Sequence, residues 1–116
     1  MADWIVDQTE AQFQQAVEEL ATLHGWRWMH INRSFTKGYW RTQTRGNLGN
    51  GWPDLVMVKG GRLLFVELKA AKGKISGIQS EVLAVLGSIP CAEVQVWRPD
   101  DWEMILERLT REEGVS

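Results

Sequence analysis

The 116-residue sequence predicts an α/β fold of order α-β-β-β-α-β-α. Three observations carry that expectation. Two capping-box signatures each open an apolar stripe at helical spacing. A pair of apolar runs is separated by two glycines. A further amphipathic stripe follows Pro99 near the end of the chain.

The elements follow in order. Thr9 with Gln12 three residues later fits a capping box, and Phe13, Ala16, Val17, Leu20 and Ala21 recur at helical spacing up to a stop at Gly25. Glu10 falls in the first turn, where the helix dipole favours a carboxylate. Trp26 to Ile31 alternates large apolar residues with Arg27 and His30, as a half-buried strand does. Asn32 to Gly51 has no sustained period and reads as a long loop, with Arg33, Lys37, Arg41 and Arg45 interleaved among Phe35, Tyr39 and Trp40. Leu55 to Val58 and Leu63 to Leu68 read as two strands joined by a tight turn at Gly60-Gly61. A small basic connection, Ala70-Ala71-Lys72-Gly73-Lys74, leads to the second capping box, Ser76 with Gln79. Ile78, Val82, Val85 and Leu86 then form a stripe that ends at Gly87. Glu93 to Arg98 reads as the last strand. Asp100 with Glu103 is expected to cap a final helix that turns Trp102, Ile105, Leu106 and Leu109 inward.

The size fits one domain over residues 1–116, with its core over about residues 9–109. Apolar content of 44% and charged content of 24% are ordinary for a globular protein. No apolar stretch approaches a membrane span, and the first residues carry neither a basic segment nor a following apolar one, so a cytoplasmic location is expected. Cys91 is the one cysteine, which excludes an intramolecular disulfide and a cysteine-cluster zinc site; its apolar surroundings suggest a small core residue. His24 and His30 have no partner at ligand spacing and read as structural. Of seven tryptophans, Trp26, Trp28, Trp97 and Trp102 fall at expected core positions, whereas Trp40 and Trp52 suit base stacking or a site wall.

The net charge of −2 conceals segregation. From Arg27 to Lys74 ten basic residues face two acids, Asp54 and Glu67, a local balance of +8, while the flanking segments are acidic. A polyanion suits that middle segment. Arg33, Lys37, Arg41, Arg45, Lys72 and Lys74 are the expected DNA contacts, since cations among aromatics match a backbone with bases stacked beside it.

The two acids also mark the expected chemistry. Side chains alternate along a strand, so Glu67 and Lys69 point to one side. Antiparallel pairing about Gly60-Gly61 brings Asp54, at the start of the first strand, near Glu67, at the end of the second. Convergent carboxylates are hard oxygen ligands of the kind that hold Mg2+ while leaving places for water and phosphate. A lysine beside them can orient or deprotonate water or steady charge on a phosphate. Gln79 opens the next helix and is within reach of the same site or of a phosphate. Together these residues suit phosphodiester hydrolysis. A Glu-Lys surface ion pair is the alternative for the tripeptide alone, and Asp54 argues against it.

The series Gly51-Trp52-Pro53-Asp54, Glu67-Leu68-Lys69 and Ser76-x-x-Gln79, set on these elements, resembles the PD-(D/E)XK nuclease superfamily, and within it the small standalone VRR-NUC domains of phages. The resemblance runs from about Thr9 to Leu109. It implies a restriction-endonuclease-like mixed sheet flanked by helices and a DNA nuclease dependent on Mg2+, with Mn2+ as substitute. Asp54 and Glu67 match the metal carboxylates, the Leu68 backbone carbonyl a further ligand, Lys69 the catalytic lysine, Glu10 the acid of the first helix, and Gln79 the glutamine of the following helix. Leu83 stands where related nucleases often carry a tyrosine, a departure from that exonuclease subtype. Standalone members resemble Holliday-junction resolvases, which implies a homodimer acting on branched DNA. Restriction-type or repair nucleases, and a catalytically silent DNA-binding module, are the alternatives.

Overall fold

The computed structural model describes residues 9–31, 34–36, 39–41 and 46–111. Helix α1 spans Glu10–Leu23, and the Thr9/Gln12 capping box forms reciprocally, with Gln12 N–H on Thr9 Oγ1 at 3.1 Å and Thr9 N–H on Gln12 Oε1 at 3.0 Å. His24 caps its end, and Gly25 takes a φ of +84° that a side chain would resist. Strand β1 (Arg27–His30) follows.

The next segment departs from expectation. Ser34–Thr36 (β2) and Tyr39–Arg41 (β3) pair antiparallel as a separate two-stranded sheet, so the order is not α-β-β-β-α-β-α but has an added hairpin before the central one. Three-residue strands are too short to show a period, which is why the sequence reads there as loop. A 3₁₀ turn, Gly49–Gly51, then leads to β4 (Leu55–Lys59) and β5 (Arg62–Leu68). Their pairing is closed by Lys59 opposite Arg62, around Gly60 and Gly61 with φ of +49° and +85°. Positive φ at both central residues is the turn whose twist suits a two-residue hairpin. Helix α2 (Gly77–Gly87), β6 (Ala92–Trp97), a 3₁₀ turn (Pro99–Asp101) and α3 (Trp102–Thr110) complete the described chain.

The main sheet has order β1-β4-β5-β6: β4 pairs antiparallel with β1 and β5, and β5 pairs parallel with β6. The parallel pair requires a crossover, which α2 supplies. Strand alternation divides the side chains between two layers. Leu55, Met57, Leu64, Val66, Leu68 and Trp97 pack beneath α1 and α3 with Phe13, Val17, Ala21, Ile105 and Leu109. Val56, Leu63, Phe65, Ala92 and Val94 turn to the other face and meet Val82 and Leu86 of α2. The molecule is thus a mixed α/β sheet flanked by helices on both faces.

Several side chains sit elsewhere than the pattern suggests. Trp26 and Trp97 are core, but Trp28 is exposed with its indole N–H on Thr22 Oγ1 at 2.9 Å, and Trp102 is half-buried. Ile78, Val85 and Leu106 are exposed rather than turned to the core. Cys91 is exposed in the turn before β6 rather than in the core. The start of α3 is not capped by Asp100 and Glu103; instead Arg98 N–H donates to Asp101 Oδ2 at 2.9 Å, because the 3₁₀ turn at Pro99 shifts the cap forward. No helix among the described residues is long and apolar enough to cross a membrane.

Candidate active site

Glu67 is the decisive residue, 1% exposed on the α2 face near the end of β5. Leaving a carboxylate out of water is costly unless charge and hydrogen bonds compensate. Here Lys69 Nζ lies 3.3 Å from Glu67 Oε2, and Gln79 Nε2 donates to the same oxygen at 2.8 Å. Two residues apart on extended chain, Glu67 and Lys69 share a side, as alternation requires.

The second capping box fixes Gln79. Ser76 Oγ accepts its backbone N–H at 3.1 Å, while Gln79 Oε1 accepts Ser76 N–H at 3.0 Å. The amide oxygen is therefore committed to the helix terminus, and the amide nitrogen is left aimed at Glu67. Cap partner and site residue are one side chain with two ends, which the Ser-x-x-Gln spacing alone does not reveal. The first turn of α2 also presents the positive end of its dipole toward the carboxylate.

Asp54 precedes β4. The register pairs Leu55 with Val66, so Asp54, one residue ahead of β4, stands at the sheet end that β5 reaches with Glu67 and Leu68. Asp54 Oδ2 accepts the Leu68 backbone N–H at 2.9 Å, and its carbonyl accepts the Ile31 N–H at 2.9 Å, tying β1, β4 and β5 together at this end. The Leu68 side chain is buried on the opposite face, so Leu68 meets the site through its backbone alone. Trp52 packs edge-on against Phe65 with ring centroids 5.3 Å apart and joins the apolar cluster under α2.

The other expected site residues divide. Lys72 and Lys74 are exposed on the connection that follows Lys69. Glu10 is exposed at the start of α1, on the opposite layer, and among the described residues no hydrogen bond or ion pair joins it to Asp54, Glu67 or Lys69. Arg33, Lys37 and Arg45 lie outside the described residues, and Arg41 is described only in its backbone, at the end of β3. Within the basic segment, Arg62 is not available to a polyanion. It is buried, bidentate to Glu93 at 2.9 Å and 2.9 Å, and stacked 4.8 Å over Trp26. Arg27, opposite Val58, and Lys59 lie toward the hairpin end of the sheet, roughly 13 and 17 Å along β4 from Asp54 at about 3.3 Å per residue.

Two residues escape sequence reasoning. A β-carbon at Gly51 would stand 2.5 Å from the Ile78 carbonyl oxygen and 2.7 Å from Val82 Cγ2, so only glycine lets the turn before Asp54 press against α2. Arg98 Nη1 donates to the Ala70 and Gly73 carbonyls at 2.8 and 2.6 Å, fixing the basic connection. A glycine ahead of Trp-Pro-Asp was a faint signal for the first; nothing in the sequence links Arg98 to residues 70–73.

Chemically, the cluster offers two oxygen ligands, a primary ammonium and an amide donor at one end of a sheet, a donor set that fits a hard divalent cation. Among the described residues no group of three or more His, Cys, Asp or Glu side chains gathers. Comparison with family models, with curated proteins and with solved structures found no match.

Proposed function

We propose that this chain is a metal-dependent DNA endonuclease of the PD-(D/E)XK type, similar to the standalone VRR-NUC domains, that hydrolyses phosphodiester bonds in branched DNA and works as a homodimer in the cytoplasm. The observation that carries the chemistry is the buried Glu67 carboxylate held between Lys69 and the capped Gln79, with Asp54, just ahead of β4, accepting the N–H of the next residue, Leu68. The branched substrate and the dimer rest on the motif series.

Asp54 and Glu67 would hold Mg2+, or Mn2+ in its place, which when bound supplies Lewis-acid polarisation of phosphate and water. The remaining work belongs to the chain. Gln79 spends one donor on Glu67 and so keeps the carboxylate from rotating. Leu68 N–H does the same for Asp54 through the backbone. The Lys69 ammonium stands where it can orient the attacking water and offset charge that builds on the phosphate oxygens. Water oxygen bonds to phosphorus as the bond to the leaving sugar oxygen breaks, and the leaving oxygen ends protonated. Lys72 and Lys74 meet flanking phosphates, which position the strand without reading sequence.

The test is a cleavage panel of four-way junction, flap and linear duplex DNA, each in Mg2+ and in EDTA. Cutting in Mg2+ alone, fastest on the junction, is expected. Failure to cut any of the three in Mg2+ or Mn2+ would contradict the proposal, and equal rates on junction and duplex by a monomer would remove the branched-DNA part.

A further inference from the structure

We propose that Arg98 is a positioning residue for this reaction, holding Lys69 at Glu67 by locking the turn over residues 70–73; this rests on the nuclease reading above. One guanidinium nitrogen reaches both ends of that turn, donating to the Ala70 and Gly73 carbonyls at 2.8 and 2.6 Å, while Gly73 N–H closes the same turn onto the Ala70 carbonyl at 3.0 Å. The residue before Arg98 supplies the adjoining clamp, since the Trp97 carbonyl accepts Lys69 N–H at 3.0 Å. Arg98 is itself fixed by its backbone N–H on Asp101 Oδ2. A single dipeptide at the end of β6 therefore holds both Lys69 and the turn after it.

The turn also lies beside the lysine stem: a β-carbon placed on Gly73 would meet Lys69 Cδ at 3.5 Å, an ordinary van der Waals distance, so the stem runs past the side of the turn on which Gly73 sits. The result is a lysine side chain only 15% exposed although it sits at a strand end. A four-carbon stem is otherwise free to leave its partner for water. Arginine suits the clamp because its guanidinium is planar and charged at every working pH.

The experiment compares wild type, Arg98→Met, Lys69→Met and the double variant by single-turnover cleavage in saturating Mg2+, with DNA affinity measured in EDTA. Arg98→Met keeps the stem length and removes the donors. Its expected effect is a rate loss of about 10- to 100-fold, the scale of a small misplacement of a catalytic group, with affinity changed less than about 3-fold. In the Lys69→Met background the same change is expected to do almost nothing, since contacts in one network do not add. Unchanged rates, or an equal fold-loss in both backgrounds, would overturn the proposal. A second measurement stands apart from activity: acetic anhydride labelling of Lys69 relative to Lys59 at the hairpin end, read by mass spectrometry. Labelling of Lys69 is expected to rise severalfold in Arg98→Met, and unchanged labelling would overturn the clamp. If wild type cuts no DNA, the nuclease reading fails and the labelling alone decides whether Arg98 holds Lys69. Should Arg98→Met not unfold cooperatively, Arg98→Lys takes its place in both measurements, with smaller shifts in the same directions.

Discussion

Glu67 and Glu93 are both held by basic partners, yet they serve opposite ends of the sheet. At the site, the bond from Gln79 to Glu67 is separable from the cap that Gln79 completes. Ser76→Ala removes the cap and is expected to lower stability by about 1 kcal/mol. Gln79→Ala removes the cap partner and a hydrogen bond to a charged group, and about 2–3 kcal/mol is expected. Equal urea midpoints for the two variants would show that the Glu67 bond contributes nothing. At the hairpin end, hydrogen bonding from Arg62 and the charges of Arg62, Arg111 and Arg108 hold the Glu93 carboxyl below its ordinary value of 4.5, against a smaller opposing effect of burial. A lowered folded pKa gives stability that is present above 4.5 and lost as pH falls through the folded value. Glu93→Gln is therefore expected to flatten the acid limb of the stability profile, with little change in its shape near neutrality, as followed by denaturant midpoints from pH 7 to pH 3. Arg62 also caps the end of α3 through the Arg108 and Arg111 carbonyls, and Arg62→Ala is expected to cost about 3 kcal/mol, the scale of breaking a buried pair.

Among the elements, the turn Gly49–Gly51 shows how a short segment without a side chain places the site. Gly51→Ala drives a methyl into the Ile78 carbonyl and Val82, and since backbone cannot yield as a side-chain end does, the turn or α2 must shift. A loss of about 1–3 kcal/mol, as for overpacking, is expected in urea unfolding, together with weaker activity because Asp54 follows three residues later. The Thr9/Gln12 and Ser76/Gln79 boxes and the Gly60-Gly61 hairpin depend on contacts between near neighbours or on strand alternation, so spacing reveals them. The β2–β3 hairpin was too short for a period, and the Pro99 turn displaced a cap that spacing had set at Asp100. Arg62 and Arg98 were invisible as structural residues because their partners lie 31 and 25 to 28 positions away, fixed by the parallel β5–β6 pairing. The basic segment read as one surface because a linear count cannot tell a buried, paired arginine from an exposed lysine.

At the scale of the molecule, the charges of the described residues are organised along the sheet. Lys69, Lys72 and Lys74 gather where β5 ends, while Arg27 and Lys59 stand at the opposite end and the acids of α1 and α3 lie on the other layer. DNA affinity is therefore expected to fall steeply with salt, and Lys72→Ala and Lys74→Ala are each expected to reduce the slope of log K against log salt by about 0.9 if each loses one phosphate contact. Arg27→Ala and Lys59→Ala should leave that slope unchanged; a slope that responds to them instead would put the polyanion at the hairpin end. The central claim is that the buried Glu67 is a metal-dependent catalytic carboxylate rather than half of a structural ion pair. The most direct measurement is single-turnover cleavage across a Mg2+ titration for wild type and Glu67→Gln, with binding followed in EDTA. Wild type is expected to saturate with Mg2+, and Glu67→Gln to lose about 10²- to 10³-fold in rate while binding DNA as before. A Glu67→Gln protein that cuts at the wild-type rate with the same Mg2+ dependence would contradict it.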